Sequence, residues 1–395
     1  MAVRRESKHE VIEALRRRSR GARRAEKGRL IDEAAAVTGY NRRDAQAVLR
    51  KGVPFSGPRR RRGGRPRVSG RAVEQALAVA AAATGWICGQ RLVAALPDLV
   101  PALEREGALR LRTEERDALL GMSAATIDRR RAERRRRQRP RGVATTKPGS
   151  LLKSQIPVRT FTPWDEQAPG FVEIDLVAHC GTSTAGEYVC TLTLVDLATG
   201  WTEWAAIANK GQLAVLAALT RLRERLPFPL PGRDCDNGSE FLNAPLVRYC
   251  QAERLTLTRC RAYHKNDQAH VEQKTWSVVR HLVGYDRYEG AEAVAALERV
   301  YELLPVYVNG YLPVMKLVGK EREGARVRKR YAVPQTPYRR AQAAGVLRPD
   351  AQQGFTAQLA ARGPLHLRRQ RDAALAQVWA RPVGAAAPTR PGAVA

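Results

Sequence analysis

The chain has 395 residues, 44% of them hydrophobic, which is enough to bury a real core in two to four domains and excludes a disordered polymer. Lys and Arg total 69 against 39 Asp and Glu, a formal net charge of +30 with a pI near 10.8, so a polyanion, nucleic acid first, is the expected partner. No apolar run approaches the roughly 18 residues of a spanning helix and no signal peptide opens the chain, so a membrane partner is set aside and a cytoplasmic protein is expected.

Residues 8–19 read as a basic helix and 27–37 as a second. Thr38-Gly39-Tyr40 breaks the pattern, and Asn41 can cap a third helix through Leu49, with Ala45, Val48 and Leu49 on one side and Arg42 and Arg43 on others. Helix, glycine-containing turn and a helix with early arginines follow the grammar of a helix-turn-helix, which makes 1–53 a DNA-binding unit with Arg42 and Arg43 toward phosphate. An ordinary helical hairpin with a solvated basic face is the alternative. Residues 54–70 are a Pro, Gly and Arg linker with no apolar period. A second helical unit follows over 71–140. Its last helix is N-capped by Ser123 and carries Arg129, Arg130 and Arg131, which points to phosphate again. Residues 141–160 form the linker into the next domain.

That domain, 161–318, opens its first strand at Phe171, where Phe171, Glu173 and Asp175 face one way and Val172, Ile174 and Leu176 the other. Strands at 188–195 and 202–207 complete an antiparallel meander. A helix at 212–226, a short strand ending at Asp236, a helix at 244–253, a strand at 255–258 and a helix carrying Glu272 follow. The order βββαβαβα is that of an α/β, ribonuclease H-like core, a mixed five-stranded sheet with helices on both faces. A long helix then runs from 288 to 307. Residues 319–380 are expected as a basic loop ending near Arg330, in reach of DNA, followed by helices, and 381–395 as a disordered tail. The six cysteines include no Cys-x-x-Cys pair and the six histidines do not cluster near them, so buried thiols are expected and not a zinc site.

Three acids occupy distinctive points of this order: Asp175 within an apolar strand, Asp236 opening the Asn237-Gly238 turn, and Glu272 on a helix, with 35 residues, 237 to 271, between the last two. Neighbouring strands lie about 4.8 Å apart, so Asp175 and Asp236 would bring their carboxylates side by side. Such a cluster is costly without cations, and hard divalent ions prefer its oxygens. A pair of Mg²⁺ ions, with Mn²⁺ as a substitute, is the cofactor expected for in-line phosphoryl transfer. Asp196, Asp234 and Glu240 are rival acids, and Glu173 is the strongest alternative member of the set. Lys265, Gln273 and Lys274 beside Glu272, with Arg280 and Arg287 after it, are candidates for holding DNA phosphates in register.

Three stretches carry a family resemblance: Asp236-Asn237-Gly238-Ser239-Glu240-Phe241, Asn266-Asp267-Gln268-Ala269-His270-Val271-Glu272-Gln273-Lys274, and Val283-Gly284-Tyr285-Asp286-Arg287-Tyr288. They resemble the DDE transposase and retroviral integrase superfamily, and more closely the bacterial ISNCY-like insertion-sequence transposases. The resemblance runs from the basic N-terminal helices to near Arg330. It implies that Asp175, Asp236 and Glu272 are the catalytic and metal-binding triad of a Mg²⁺-dependent enzyme that cuts a phosphodiester at element ends and transfers the strand into target DNA. It further implies double-stranded DNA partners, the terminal inverted repeats and the target, a homo-oligomer on that DNA, and association with the bacterial nucleoid. Two other readings stay open: a catalytically silent DNA-binding repressor and a stand-alone ribonuclease H-like nuclease.

Overall fold

The computed structural model describes residues 5–51, 70–136, 168–235, 238, 240–241, 243–259, 269–323 and 326–383. Most of the two expected linkers and nearly all of the tail, together with Asp236 and Lys265, lie outside the described residues. The chain divides into two compact units, Met1–Val68 and Ser69–Ala395.

The first unit is three helices, α1 (Arg5–Gly21), α2 (Arg24–Thr38) and α3 (Arg42–Lys51), closed around Leu15, Leu30, Ala34, Ala45 and Leu49. Gly39 ends α2 in the left-handed region at φ 72°, where an L side chain would be strained, and its amide closes on the Ala35 carbonyl. Asn41 and Asp44 then begin α3 together. The Asn41 side-chain oxygen Oδ1 accepts the Asp44 amide at 2.9 Å and its NH₂ donates to the Asp44 carboxylate at 2.7 Å.

The second unit opens with α4 (Arg71–Ala83), α5 (Gly89–Arg105), α6 (Thr113–Leu120) and α7 (Ala124–Arg136). Gly89 lets α7 dock end-on against α5: a Cβ there would stand 2.3 Å from the Ala124 carbonyl oxygen, and the Gly89 amide donates to Asp128 at 2.9 Å. A five-stranded sheet follows, β1 (Phe171–Ala178), β2 (Cys190–Asp196), β3 (Thr202–Ile207), β4 (Gly232–Cys235) and β5 (Thr256–Arg259), in the order β3-β2-β1-β4-β5. The first three strands pair antiparallel, and β4 and β5 continue the sheet in parallel from β1. Between and after them come α8 (Gln212–Arg225), α9 (Ala244–Ala252), α10 (Ala269–Lys274) with its π-helical continuation Thr275–Arg280, and α11 (Gly290–Tyr311). The unit ends in a hairpin, β6 (Leu317–Glu323) and β7 (Arg326–Tyr331), and in α12 (Pro337–Ala343), α13 (Pro349–Ala361) and α14 (Pro364–Trp379).

Register decides what faces what. Glu173 pairs with Val195, Asp175 with Thr193 and Val177 with Thr191, so these six share one face of the sheet. On that face α11 is held by Tyr301, whose hydroxyl meets the Thr191 hydroxyl at 2.6 Å. Asn309 anchors it again by bonding both the amide and the carbonyl of Thr202. Glu203 belongs to the opposite face, where Arg225 of α8 acts on its charge.

Two expectations are corrected here. The four helices of 71–136 do not form a unit separate from the sheet, because their apolar residues continue into the same hydrophobic cluster as α11 and α14. The Tyr307 hydroxyl reaches the Ala83 carbonyl at 2.7 Å in that buried seam, and Arg91 Nε donates to the Pro313 carbonyl at 2.5 Å. An Ala- and Leu-rich helix such as α4 is apolar over more than one stripe, and a second partner covers the surplus. The basic stretch after Gly319 is a hairpin and not a loop, with Glu321 opposite Arg328 and Arg322 opposite Val327. Its strand-favouring Val318, Val327 and Tyr331 are obscured in the sequence by the charges between them. Among the described residues, no helix is long and apolar enough to cross a membrane.

Candidate active site

The site is built where α10 crosses β1. Val271 is fully buried and seats the helix, and its amide donates to Oε2 of Glu173 at 2.9 Å. The first amides of a helix have no partner within it, so a buried carboxylate at that end satisfies one of them and matches the positive end of the helix dipole. One turn on, Thr275 Oγ1 donates to Oδ2 of Asp175 at 3.0 Å, while Oδ1 of Asp175 accepts the Leu176 amide at 2.8 Å. Glu272 is exposed and precedes Thr275 by three positions, which puts the two side chains on neighbouring parts of one helix surface. The strand bearing Asp175 and the helix bearing Glu272 are therefore tied at two points.

Asp175 is half-buried, and burial raises its carboxyl above the ordinary carboxylate range. The bonds from Thr275 and Leu176 work the other way, the charge of Glu240 adds to the rise, and Arg280 opposes it. The sheet brings one further acid to this face. Asp234 stands opposite Glu173 in the β1–β4 register, is 1% exposed, and accepts the Thr258 hydroxyl at 2.6 Å. The β1–β4 pairing extends as far as Ile174 and Cys235, the residues immediately before Asp175 and Asp236. Among the described residues no cluster of three or more His, Cys, Asp or Glu side chains forms a metal site, and Asp236 is not one of them. Beyond β4, Gly238 is buried, and a Cβ there would meet the Glu240 carboxylate at 2.6 Å.

The rival acids separate by their bonds. Asp196 is buried in the β2–β3 turn and accepts the amides of Gly170 and Thr199 and the Thr199 hydroxyl, a turn-holding role. Glu173 binds a helix amide and so serves the site by holding α10. Of the candidate phosphate contacts, Arg42, Arg43, Arg129, Arg130 and Gln273 are exposed, although Arg42 reaches Asp32 at 3.3 Å and Arg130 reaches Glu74 at 2.9 Å. Lys274 is 7% exposed and points inward, where burial and the charge of Arg91 push its ammonium down to about 7. Arg280 gives one nitrogen to the Ala178 carbonyl at 3.0 Å and lies over the Tyr285 ring at 4.8 Å. Arg287 binds the carbonyls of Cys180, Ser183, Ala185 and Glu187, which closes the β1–β2 loop. Thr275 is a site residue that sequence reasoning misses; its position one helical turn after Glu272, on the side that meets β1, is the available signal.

A three-strand antiparallel meander running into two parallel strands, with helices on both faces and an acid on the central strand, fits a ribonuclease H-like fold. The chain is similar to the catalytic core domain of BIV integrase, at 16% identity over 45% of this chain and 97% of that one, with a TM-score of 0.29. It is similar also to the HTLV-2 integrase catalytic core domain in complex with magnesium, at 14% identity over 37% of this chain and 90% of that one, TM-score 0.28. No family model matches the sequence. The chain is 46% identical over 331 residues to the uncharacterized protein y4rM of Sinorhizobium fredii (strain NBRC 101917 / NGR234), covering 84% of this chain and 94% of that protein. It belongs to the family of that protein.

Proposed function

We propose that this protein is a DNA transposase of the integrase type, a divalent-metal-dependent polynucleotidyl transferase that cuts a phosphodiester at element ends and joins the freed 3′-hydroxyl to target DNA. The observation that carries the reading is the bond from Thr275 to Asp175, because it ties the strand of one acid to the helix that presents Glu272. Asp236, the residue after the end of β4, is the third member of the proposed triad.

The donor set suits Mg²⁺ or Mn²⁺. Among the described residues no ammonium or guanidinium pairs with Asp175, whose carboxyl is raised by burial and by the nearby charge of Glu240, the condition of a carboxylate that a hard cation relieves. When bound by Asp175, Asp236 and Glu272, the ions supply activation of the attacking water or hydroxyl and charge for the leaving oxygen. The chain's own groups do the rest. Thr275 orients Asp175, Glu173 holds α10 against the sheet, and exposed arginines keep the DNA backbone in register. In the first unit α2, Gly39 and α3 are read as a helix-turn-helix presenting Arg42 and Arg43; Arg129 and Arg130 of α7 and the β6–β7 hairpin add phosphate contacts, consistent with the net charge of +30. A homo-oligomer holding paired DNA ends is part of this reading.

The test is to incubate the full-length protein with Mg²⁺ and labelled duplexes tiling the DNA on both sides of its gene, and to resolve nicked and strand-joined products. Both products are expected, and Asp236→Asn should lose both while keeping its DNA affinity. Binding with neither product would support a repressor instead, and nicking without joining a nuclease.

A further inference from the structure

The helix that presents Glu272 changes its winding at Thr275. Over Thr275–Arg280 the backbone is π-helical, so residues five apart come nearly into line. Trp276 and His281 are such a pair, their ring centroids 4.3 Å apart and their planes tilted by 58°. In an α-helix positions five apart diverge by about 140° around the axis and these rings could not meet. The π-helical turn therefore backs the indole with the imidazole.

The indole is also out of place by ordinary packing rules. Trp276 is 53% exposed, the only tryptophan among the exposed large apolar side chains of the described residues. Its surroundings on the helix surface, Glu272, Gln273, Ser277 and His281, are all exposed and polar. A lone aromatic ring in a polar setting is no apolar patch of the kind that joins protein subunits. Position completes the case. On the helix surface Glu272 lies between Thr275, which touches Asp175, and Trp276 on the solvent side, so the ring is a near neighbour of the acid on one helix surface.

We propose that Trp276, backed by His281, is a stacking platform for an unpaired nucleobase of the DNA end whose phosphodiester lies between Asp175 and Glu272. The proposal rests on the transferase reading for the identity of the nucleic acid. Every base has a π face, so such a platform accepts any sequence and holds the terminal nucleotide in orientation while phosphate contacts set its register.

The test separates stacking from chemistry by leaving out divalent ions. The full-length protein is titrated, in EDTA, into a duplex with a two-nucleotide 5′ overhang carrying 2-aminopurine, and into the same duplex blunt-ended. The expected result is quenching of the overhang probe by the wild-type protein and by Trp276→Phe, with loss of quenching in Trp276→Ala. Affinity of Trp276→Ala for the overhang duplex should fall about 10-fold or more while its affinity for the blunt duplex is unchanged. Equal quenching by Trp276→Ala overturns the platform, as does a Trp276→Ala protein that keeps full overhang affinity and instead sediments as a smaller species, which would assign the ring to a second copy of the chain. Because nothing is cut in this assay, a protein that quenches but never nicks in Mg²⁺ keeps the platform and loses only the transferase reading.

Discussion

The carboxylate of Glu173, in the middle of β1, accepts the amide of Val271, in the first turn of α10, at 2.9 Å. Glu173 is fully buried, so the bond has no water to replace it. Glu173→Ala would leave the amide of Val271 without its acceptor, at an expected cost of about 1–3 kcal/mol, read as a lower urea midpoint. Glu173→Gln keeps an acceptor oxygen and should lose less. Equal midpoints for Glu173→Ala and the wild type would show that α10 is held by its apolar contacts alone.

Thr275→Val preserves shape and removes the hydroxyl that bonds Asp175. That bond favours the ionised carboxylate, whereas burial disfavours it. Its loss raises the Asp175 carboxyl of the metal-free protein further above the ordinary range, so in EDTA the urea midpoint of Thr275→Val is expected to fall more, relative to wild type, at pH 7 than at pH 4. Midpoints that differ equally at both pH values would show that the hydroxyl does not act on the Asp175 charge.

Glu203 links stability to pH. Burial pushes its carboxyl up to about 7 from an ordinary 4.5, against the opposing effects of the Trp201 indole, which donates at 2.8 Å, and of Arg225. A folded value above the ordinary one means that the stabilisation is complete below the ordinary carboxylate range and is lost as pH rises through about 7. Calorimetry at pH 5, 6.5 and 8 should show the wild type losing on the order of 1–3 kcal/mol more than Glu203→Gln across that window. Parallel curves would remove Glu203 as the cause.

Lys274 gives a contrast between charge that binds and charge that is buried. Its folded value near 7 lies below the ordinary 10.5, so the cost of burying this side chain grows as pH falls through that range and is complete below about 7. Lys274→Met should raise the melting temperature more at pH 6 than at pH 9 and leave DNA affinity unchanged. Arg42→Ala combined with Arg43→Ala should instead weaken binding to all sequences and reduce the salt slope by about 1 for each phosphate that is no longer neutralised. A fall in DNA affinity for Lys274→Met would mean that this lysine reaches the backbone after all.

Arg287 bonds four carbonyls of the β1–β2 loop and lies over the Tyr188 ring at 5.6 Å. Arg287→Ala should cost about 2–4 kcal/mol, the loss expected when charged bonds to several backbone groups go together. Urea denaturation with hydrogen exchange across 180–187 checks it, and unchanged exchange in that loop would contradict the assignment.

Strand and helix order was legible in the sequence because strand residues alternate and helix residues repeat at 3.6. The run at Phe171–Ala178 announced both a strand and the shared face of Glu173 and Asp175, and the third strand was read as Thr202–Ile207, as observed. A carboxylate inside an apolar strand is conspicuous without any coordinates. Less was visible in charged segments, where the alternation of β6 and β7 lay under a run of basic residues.

By itself the sequence determined the order of elements, the net positive charge and the acids worth considering, since each follows from residue type and near-neighbour period. Tertiary structure decided the remainder: that α4 to α7 share the core of the sheet, that Lys274 turns inward while Glu272 turns out, and that Thr275 rather than a basic residue touches Asp175. Those outcomes depend on which side of a helix meets which face of a sheet. That choice is made by contacts between residues a hundred positions apart, and no local pattern encodes it.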